Sequence, residues 1–343
     1  MEKELARIVG DGNVLPGEPM AAHTTFHIGG RVDYFVTPEN ALQLSKVRAL
    51  CKEKDMPCIT IGNGSNLLVA DEGVEGVIIS TCGQKKEENA EERKTEESLA
   101  ADIATWDFMR MELAGEKVEL WYQEEKLTVL ETRKEKECFL VAGAGVMLAK
   151  LAGFAAKNGK TGLAFAGGIP GTLGGAVAMN AGAYGGEIRD TIVGAVLMSK
   201  AGKITYLSKE QLELSYRNSI VLKEGATCLV AVFSLEEGEK DVILSQMREY
   251  NTSRREKQPL EYASAGSTFK RPEGYFAGKL IQDAGLKGYR VGDIMVSEKH
   301  SGFVVNVGKG TAAEAMEVIH HVQETVREKF GVDLEMEVRT IGI

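Results

Sequence analysis

The clustering of glycine constrains this chain more than any other feature of its sequence. Nine of the 25 residues from 162 to 186 are glycine, and a shorter run, Gly62-Asn63-Gly64-Ser65-Asn66, lies about a hundred residues earlier. Glycine lets backbone N–H groups approach phosphate oxygens closely, and consecutive N–H groups form a nest that binds anions. The two loops therefore suggest a large phosphate-bearing cofactor held across two subdomains. Glycines that serve only turns and packing are the alternative.

Two familiar nucleotide-binding motifs are excluded because parts that their mechanisms need are missing. Gly143-Ala144-Gly145 follows a predicted strand and opens a predicted helix, but it lacks the third glycine and the later acidic residue of a dinucleotide fingerprint. Residues 168–175 resemble a P-loop without the lysine that reaches the phosphates. We therefore interpret 143–145 as a tight strand-to-helix turn and do not expect a nucleoside triphosphatase.

Composition and charge narrow the function classes further. The 343 residues are 43% apolar and carry a net charge of −9, which is ordinary for a soluble globular protein and disfavours general binding of nucleic acid. No apolar run approaches the ~18 residues of a membrane span, and the N-terminus lacks the apolar region of a signal peptide. The five cysteines have no CxxC spacing, so reduced thiols in a cytoplasm are expected. The histidines form no HExxH motif, and no metal site is predicted.

Hydrophobic periodicity predicts alternating strands and helices on both sides of one irregular stretch. Residues 38–56 are typical of a helix capped by Thr37, followed by a strand at 58–61. A long C-terminal helix opens with the capping box at 311–314. The chain closes on a predicted strand from Val332 to Arg339, in which apolar and polar residues alternate strictly.

Residues 83–137 break this pattern. Ten of the fourteen residues from Gln84 to Glu97 are charged, and both tryptophans lie in the same stretch. A run of charge is usually a solvated surface, although the later residues 117–133 have enough β-forming side chains for a hairpin. We therefore interpret 83–137 as a charged insertion on the surface that does not support the core.

Nine short motifs, in the same order along the chain, resemble the MurB family, the UDP-N-acetylenolpyruvoylglucosamine reductases. They include Thr-Thr-Phe-His-Ile-Gly-Gly at 24–30, the loop at 62–66, Tyr-Arg-Asn-Ser at 216–219 and Ser-Ala-Gly-Ser-Thr-Phe-Lys at 264–270. The others lie at 166–176, 179–185, 278–281, 296–300 and 334–339. The match covers residues 20–82 and 138–343 and looks closer to the second, shorter type of the family. Typical members cross the region of 83–137 in fewer residues.

The resemblance implies an α+β fold with an FAD-binding module of the vanillyl-alcohol-oxidase (PCMH) type in two α/β subdomains. Residues 1–205 are expected to form this module and 206–343 a C-terminal α+β substrate domain, whose last strand returns to the active site. FAD would bind noncovalently and NADPH would reduce it. The family reduces UDP-N-acetylglucosamine enolpyruvate to UDP-N-acetylmuramate, a cytoplasmic precursor of peptidoglycan.

The resemblance also implies catalytic roles, residue by residue. Arg217 is the cation for the enolate-like charge that builds up after hydride delivery, Ser267 is the proton donor to carbon, and Glu337 is the carboxyl partner. Stabilising that charge is an oxyanion-hole task, and the proton needs a placed donor. Alternation puts Glu335 on the same face as Glu337, so spacing alone does not choose between them, and the family motif selects Glu337.

Cofactor and substrate contacts follow from the same motifs. Tyr216, Lys270 and Arg271 are expected to bind substrate, since Lys and Arg suit a diphosphate. His27 is expected to be structural, because the family binds FAD without a covalent histidine. The residues expected to contact FAD are Gly62, Asn63, Gly64, Ser65, Asn66, Gly168, Ile169, Gly171, Thr172, Gly175, Ala176, Asn180 and Gly182.

Two other functions stay open at this point. A flavin-dependent oxidase of small alcohols or lactones would keep the fold but would not need the motifs at 216–219 and 265–267. A nucleotide-sugar binding protein without catalysis would not need Arg217, Ser267 and Glu337 together. The sequence does not indicate an oligomeric state.

Overall fold

A computed structural model describes residues 1–83, 91–95, 97–132 and 137–343. Most of the charged run from Gln84 to Glu97 therefore lies outside the described residues. The chain divides into two compact units. The first comprises Met1–Leu15, Phe35–Gly62 and Val77–Thr252, and the second comprises Pro16–Tyr34, Asn63–Gly76 and Ser253–Ile343.

The described part of the chain contains both helices and strands, with strands alone from β3 to β11. The helices are α1 (Glu2–Val9), α2 (Ala41–Glu53), α3 (Leu148–Lys157), α4 (Leu173–Met179), α5 (Ile188–Thr191), α6 (Ile220–Glu224), α7 (Lys240–Lys257), α8 (Ala277–Asp283) and α9 (Ala312–Phe330). The strands are β1 (Val14–Pro19), β2 (Arg31–Val36), β3 (Cys58–Ile61), β4 (Leu67–Val69), β5 (Val74–Ser80), β6 (Glu92–Thr95), β7 (Ser98–Asp102), β8 (Met111–Ala114), β9 (Lys117–Tyr122), β10 (Glu125–Glu131), β11 (Glu137–Gly143), β12 (Gly182–Ala183), β13 (Gly186–Glu187), β14 (Ile192–Met198), β15 (Ile204–Ser208), β16 (Thr227–Glu236), β17 (Ala263–Ser264), β18 (Arg290–Val291), β19 (Ile294–Val296), β20 (Val304–Asn306) and β21 (Arg339–Ile341). Over the described residues, no helix has the length and apolar composition that crossing a membrane requires.

The first unit contains a six-stranded sheet in the order β15-β14-β16-β11-β8-β6. Strand β16 pairs antiparallel with β14 on one side and with β11 on the other. Nearly every residue of β16 is buried, as expected for a strand covered on both faces. Leu151 of α3, Val177 of α4 and Phe233 of β16 belong to one buried cluster, so these helices pack in the same core as the sheet.

The interpretation of residues 83–137 as a surface insertion that does not support the core is wrong for the described residues from 97 to 132. Strand β8 lies inside the six-stranded sheet, where Leu113 is opposite Leu140 of β11. Phe108 and Met111 are at most 1% exposed. Sequence reasoning missed this buried part because it extended the interpretation of the charged run to the apolar residues that follow it. The composition of the run carries no information about those residues.

The hairpin predicted within residues 117–133 is confirmed. Strands β9 and β10 are antiparallel, with Leu130 opposite Val118. Strand β7 pairs parallel with β9 and completes a three-stranded sheet in the order β10-β9-β7. Val118 and Leu120 are fully buried, so β9 gives a core to this part of the chain as well.

Asn40, and not Thr37, caps helix α2. The Asn40 side-chain oxygen accepts a hydrogen bond of 3.0 Å from the backbone N–H of Gln43. The Thr37 hydroxyl instead donates to the side-chain oxygen of Asn13 at 3.1 Å. The helix therefore starts beyond Pro38, and it leads into β3, which pairs parallel with β5.

The second unit contains a four-stranded sheet in the order β17-β20-β19-β18. Val318 and Val322 of α9 are fully buried in one cluster with Ile294 of β19. The predicted capping box of α9 is confirmed, since the Thr311 hydroxyl accepts from the Glu314 N–H and the Glu314 carboxylate accepts from the Thr311 N–H. Helix α9 ends at Gly331, whose φ of 67° is a left-handed cap.

The predicted strand from Val332 to Arg339 is wrong in its extent. Within that stretch Met336 forms a single bridge to Phe269, and the regular strand is only β21, which pairs parallel with β4. The alternation arose because Leu334 and Val338 of this extended segment are buried. The segment nevertheless ends in β21, and β21 pairs with β4, the strand that directly follows the loop at 62–66.

Candidate active site

The loop at 62–66 is shaped by the close approach of two backbones. Gly64 has a φ of +71°, and a Cβ at this position would overlap the carbonyl oxygen of His23. The backbone N–H of Thr25 donates to the carbonyl of Gly64 at 3.2 Å. Only glycine suits this position, so the loop needs it for its own conformation as well as for any ligand.

A buried hydroxyl group faces the start of this loop. A Cβ on Gly62 would overlap Oγ1 of Thr172, so the two residues are in close contact. Thr172 is 1% exposed, and among the described residues its hydroxyl has no hydrogen-bond partner. An unpartnered buried hydroxyl costs about 1–3 kcal/mol, so a ligand that supplies a partner is favoured here. The pair fits a phosphate-bearing cofactor, whose oxygens accept hydrogen bonds from hydroxyl groups.

The second glycine-rich segment packs against the turn at 143–145. The N–H of Leu148 donates to the carbonyl of Gly171 at 2.9 Å, and the N–H of Gly174 donates to the carbonyl of Ala144 at 2.8 Å. Gly168 and Ile169 precede this contact, and Gly175 and Ala176 lie in the first turn of α4. The interpretation of 143–145 as a strand-to-helix turn is confirmed, since β11 ends at Gly143 and α3 begins at Leu148.

Asn180 and Gly182 follow α4. Gly182 lies in the short hairpin of β12 and β13, where a Cβ would lie 2.8 Å from the carbonyl oxygen of Gly186. Asn180 is fully buried, and its side chain donates to the Ser215 carbonyl at 3.2 Å. The carboxamide of Asn180 is therefore engaged by the protein itself.

Tyr216 and Arg217 form the centre of a tight turn in the first unit. Ser215 and Asn218 exchange backbone hydrogen bonds of 3.0 and 3.1 Å across this turn. Arg217 has a φ of 55°, and its guanidinium carbon lies 5.0 Å from the centre of the Tyr216 ring. Tyr216 is 50% exposed, so the turn presents an aromatic ring and a cation at the surface of this unit.

The second unit brings Ser267 and Glu337 onto paired segments. The N–H of Glu337 donates to the carbonyl of Thr268 at 2.8 Å, and the N–H of Lys270 donates to the carbonyl of Glu335 at 2.8 Å. Ser267 follows Gly266, whose φ is +80°, and is exposed. The proposed proton donor and carboxyl group therefore lie at the same end of an antiparallel pairing.

The loop at 62–66 joins this pairing directly. The side-chain amide of Asn66 donates to the carbonyl of Glu337 at 3.0 Å, and the N–H of Arg339 donates to the carbonyl of Asn66 at 3.1 Å. Thr25, which binds Gly64, also exchanges hydrogen bonds with Ser264: its hydroxyl donates to the Ser264 carbonyl at 2.7 Å. Residues 63–66 of the proposed cofactor loop thus lie with Ser267 and Glu337 in one hydrogen-bonded group of the second unit, whereas Arg217 belongs to the first unit.

Glu335 and Glu337, which spacing alone could not separate, have different surroundings. The Glu335 carboxylate forms an ion pair with Nζ of Lys270, and its side chain is 72% exposed. Glu337 is partly buried. The choice of Glu337 over Glu335 as the carboxyl partner stays a prediction from the family motif.

His300 supports the segment that carries Ser267. Burial lowers the pKa of His300, and its Nδ1 atom accepts a hydrogen bond of 3.1 Å from the N–H of Gly302. The carbonyl of Gly302 in turn accepts a bond of 2.9 Å from the N–H of Thr268. The imidazole of His300 is therefore part of the framework that holds the backbone of Thr268, the residue after Ser267.

Sequence reasoning missed two contacts in the second unit. Arg271 stacks its guanidinium carbon 3.9 Å from the centre of the Phe276 ring, and Phe276 is 61% exposed. Thr25 lies in the motif at 24–30 but has no role predicted from the sequence, although it links Gly64 to Ser264. Its motif membership was the signal for Thr25, while no periodicity in the sequence distinguishes Phe276.

Two protein-family models match the chain. One describes the C-terminal domain of UDP-N-acetylenolpyruvoylglucosamine reductase and matches residues 258–341. The other describes an FAD-binding domain and matches residues 125–208. The first range contains Ser267, Lys270 and Glu337, and the second contains the glycine-rich segment.

Relatives match over nearly the whole chain. A UDP-N-acetylenolpyruvoylglucosamine reductase of Lachnoclostridium phytofermentans is 45% identical over 340 residues, covering 99% of this chain and 96% of the relative. One of Agathobacter rectalis is 47% identical over 330 residues, covering 96% of this chain and 94% of the relative. The 99% span runs through residues 83–137, so this stretch belongs to the length compared.

A solved structure gives the same result. The crystal structure of MurB from Thermus caldophilus has a TM-score of 0.68 and 30% identity, and the match covers 95% of this chain and 97% of that one. The fold class predicted from the motifs, an α+β protein with an FAD-binding module of the vanillyl-alcohol-oxidase type, is confirmed.

Proposed function

The chain belongs to the UDP-N-acetylenolpyruvoylglucosamine reductase family, and from this membership we propose that it reduces UDP-N-acetylglucosamine enolpyruvate to UDP-N-acetylmuramate with NADPH. It is an FAD-dependent oxidoreductase of peptidoglycan precursor synthesis. We place the reaction in the cytoplasm, where the chain's reduced cysteines also fit.

One group of contacts supports this function most strongly. In the second unit, Asn66 of the cofactor loop donates to the main chain of Glu337, whose own N–H donates to the residue after Ser267. A loop suited to a phosphate-bearing cofactor and a proton donor with a carboxyl partner thus share one framework. A binding protein without catalysis has no need for that arrangement.

The residues predicted from the two glycine-rich loops would hold FAD, except Asn180, whose side chain is engaged by the protein itself. Thr172, with its unpartnered buried hydroxyl, and the glycines at 62 and 64 are the strongest of these on structural grounds. Bound there, FAD would supply the hydride-transfer chemistry that links NADPH to the enolpyruvyl double bond. The FAD module at 1–205 and the substrate domain at 206–343 stay predictions.

The chain's own residues handle charge and protons. Arg217 supplies positive charge for the carboxylate of the substrate, into which negative charge spreads once hydride has been added. Glu337 shares a proton with that carboxylate. The Ser267 hydroxyl gives a proton to the carbon next to the carboxylate and recovers one from solvent. Tyr216, Lys270 and Arg271 bind the remainder of the substrate, with the two cations directed at its diphosphate.

A steady-state assay tests the function. Purified protein should be yellow, with absorbance near 450 nm, and should oxidise NADPH in excess of its flavin only when the enolpyruvyl sugar nucleotide is present. Mass spectrometry should find a product heavier by two hydrogen atoms. Colourless protein would favour the alternative function of a nucleotide-sugar binding protein without catalysis. Substrate consumption that requires oxygen but no NADPH would indicate a flavin-dependent oxidase.

A further inference from the structure

Asn180 occupies an unusual position for a residue predicted to contact a cofactor. It caps the C-terminus of α4 with φ 44° and ψ 57°, the left-handed conformation that Asn tolerates better than most residues. Its exposed fraction is 0%. Both its backbone and its side chain are therefore fixed by the protein.

The carboxamide of Asn180 connects three segments of the first unit. Its nitrogen donates to the carbonyl of Ser215 at 3.2 Å and to the carboxylate of Glu187 at 2.6 Å. Its oxygen accepts from the N–H of Arg189 at 2.9 Å. Two acceptors surround the nitrogen and a donor faces the oxygen, so only an amide in this orientation satisfies all three contacts.

These contacts hold the turn that carries Arg217. Ser215, which binds Asn180, is the first residue of the turn. Ser219, just beyond the turn, is also fully buried, and its hydroxyl donates to the carbonyl of Ala178 at 2.7 Å. Both ends of the turn are thus attached to the end of α4, and between them Arg217 keeps a φ of 55°. A non-glycine residue holds such a conformation only where its surroundings determine it.

We propose that Asn180 is a positioning residue: it fixes the turn from Ser215 to Asn218 and thereby aims Arg217 at the carboxylate of the substrate. This inference rests on the proposed function. It replaces the prediction that Asn180 contacts FAD with a role in the half-reaction that involves the enolpyruvyl group.

Asn180→Asp is the sharpest variant, because it keeps size and shape and changes only the amide nitrogen. A carboxylate would face the carboxylate of Glu187 and the carbonyl of Ser215, so the turn would shift. Flavin content and flavin reduction by NADPH should be unchanged, while flavin reoxidation by the substrate should slow by up to roughly 100-fold, as a displacement of about 1 Å can cause. Asn180→Gly serves if the Asp variant does not fold, since glycine accepts the left-handed conformation and removes only the carboxamide.

Two further variants separate positioning from general damage. Asn180→Asp combined with Glu187→Gln restores a donor beside the new carboxylate, and part of the lost rate should return. Asn158→Asp makes the same change at the C-cap of α3, where the side chain donates to the Phe154 carbonyl at 2.8 Å, and should leave both half-reactions unchanged.

Binding of the enolpyruvyl sugar nucleotide to the oxidised protein gives a readout without turnover. Binding is followed by the change in the flavin absorbance spectrum. Asn180→Asp and Arg217→Lys should each lower the affinity for the sugar nucleotide, and the double variant should bind it no more weakly than Arg217→Lys alone. Additive losses, or a fall in flavin content in Asn180→Gly, would overturn the positioning role. Failure of the wild-type protein to react with the substrate would instead overturn the proposed function.

Discussion

At the scale of single residues, Ser267 carries the most demanding chemical step. Serine is a weak acid, so it can serve as a proton donor only where the developing charge is held beside it. Ser267→Ala should keep its flavin and its reduction by NADPH but slow reoxidation by the substrate by roughly 10²–10⁴-fold. Stopped-flow absorbance at 450 nm measures the two half-reactions separately.

Ser267→Cys is the matched control, because it keeps a proton donor of similar size at the same position. It should retain part of the activity that Ser267→Ala loses. Reoxidation of Ser267→Ala at a rate near that of the wild type would make Ser267 an ordinary turn residue after Gly266.

The reactivity of the Cys58 thiol in the first unit should depend on pH, and this dependence can be measured. A hydrogen bond from the Cys51 thiol lowers the pKa of Cys58, against the opposing effect of burial and with help from the Arg48 guanidinium. The thiolate is the reactive form, so a lowered pKa moves reactivity to lower pH. The rate of Cys58 alkylation by iodoacetamide should therefore reach half of its maximum well below the ordinary value of about 8.5. In Cys51→Ala the midpoint should move up, and an ordinary midpoint in the unaltered protein would contradict the predicted interaction.

Individual residues also show where sequence reasoning stops. The glycine at 64 could be predicted from loop chemistry, because its conformation and its contact both demand glycine. Glu335 and Glu337 could not be separated, because alternation fixes a face but not a partner. The ion pair with Lys270 and the partial burial of Glu337 depend on the pairing with 268–270, which spacing along one strand does not contain.

At the scale of elements, the loop at 62–66 is the clearest determinant of flavin binding. Gly64→Ala puts a Cβ onto the His23 carbonyl and into a left-handed conformation, so the loop must distort. The purified variant should contain much less flavin per protein, as measured by its absorbance ratio at 450 and 280 nm. Gly153→Ala is the control, because its Cβ meets nothing within 4 Å in α3 and should raise stability by about 0.5–1 kcal/mol without loss of flavin. Equal flavin content in both variants would remove loop 62–66 from the cofactor site.

The stretch at 83–137 gives the second element-scale test. Phe108 is 1% exposed, so Phe108→Ala should lower the free energy of unfolding by about 3–5 kcal/mol, as large-to-small changes in a core do. The side chain of Val129 on β10 is 40% exposed, so Val129→Ala should change the free energy of unfolding by no more than about 0.5 kcal/mol. Urea unfolding measures both values. Replacing 84–136 by a short turn should give insoluble protein, and a soluble, yellow deletion variant would restore the surface interpretation.

The elements also differ in how well the sequence defined them. Helix α9 could be predicted with both of its ends, because a capping box and a glycine cap are local signals. Strand β8 could not, because it is a strand through its pairing with β6 and with β11, which lies about 30 residues further along the chain. Local signals such as helix caps can be recognised from a few neighbouring residues. Pairing between strands that are far apart in the sequence cannot be recognised from composition.

At the scale of the whole molecule, the chain builds each unit from three separate stretches. The domain boundary near residue 205 stays a prediction. In the structure β15 and β16 belong to the same six-stranded sheet, and the chain enters the second unit for the last time at Ser253. Reading along the chain favours contiguous domains, so an interleaved arrangement becomes visible only once strands are paired.

A single-turnover experiment without oxygen tests the central claim most directly. The flavin band at 450 nm should bleach when one equivalent of NADPH is added and should return when one equivalent of the enolpyruvyl sugar nucleotide follows, with formation of one equivalent of UDP-N-acetylmuramate. A band that stays bleached after the sugar nucleotide is added, and returns only when oxygen is admitted, would contradict the assignment of this chain as a reductase of that substrate.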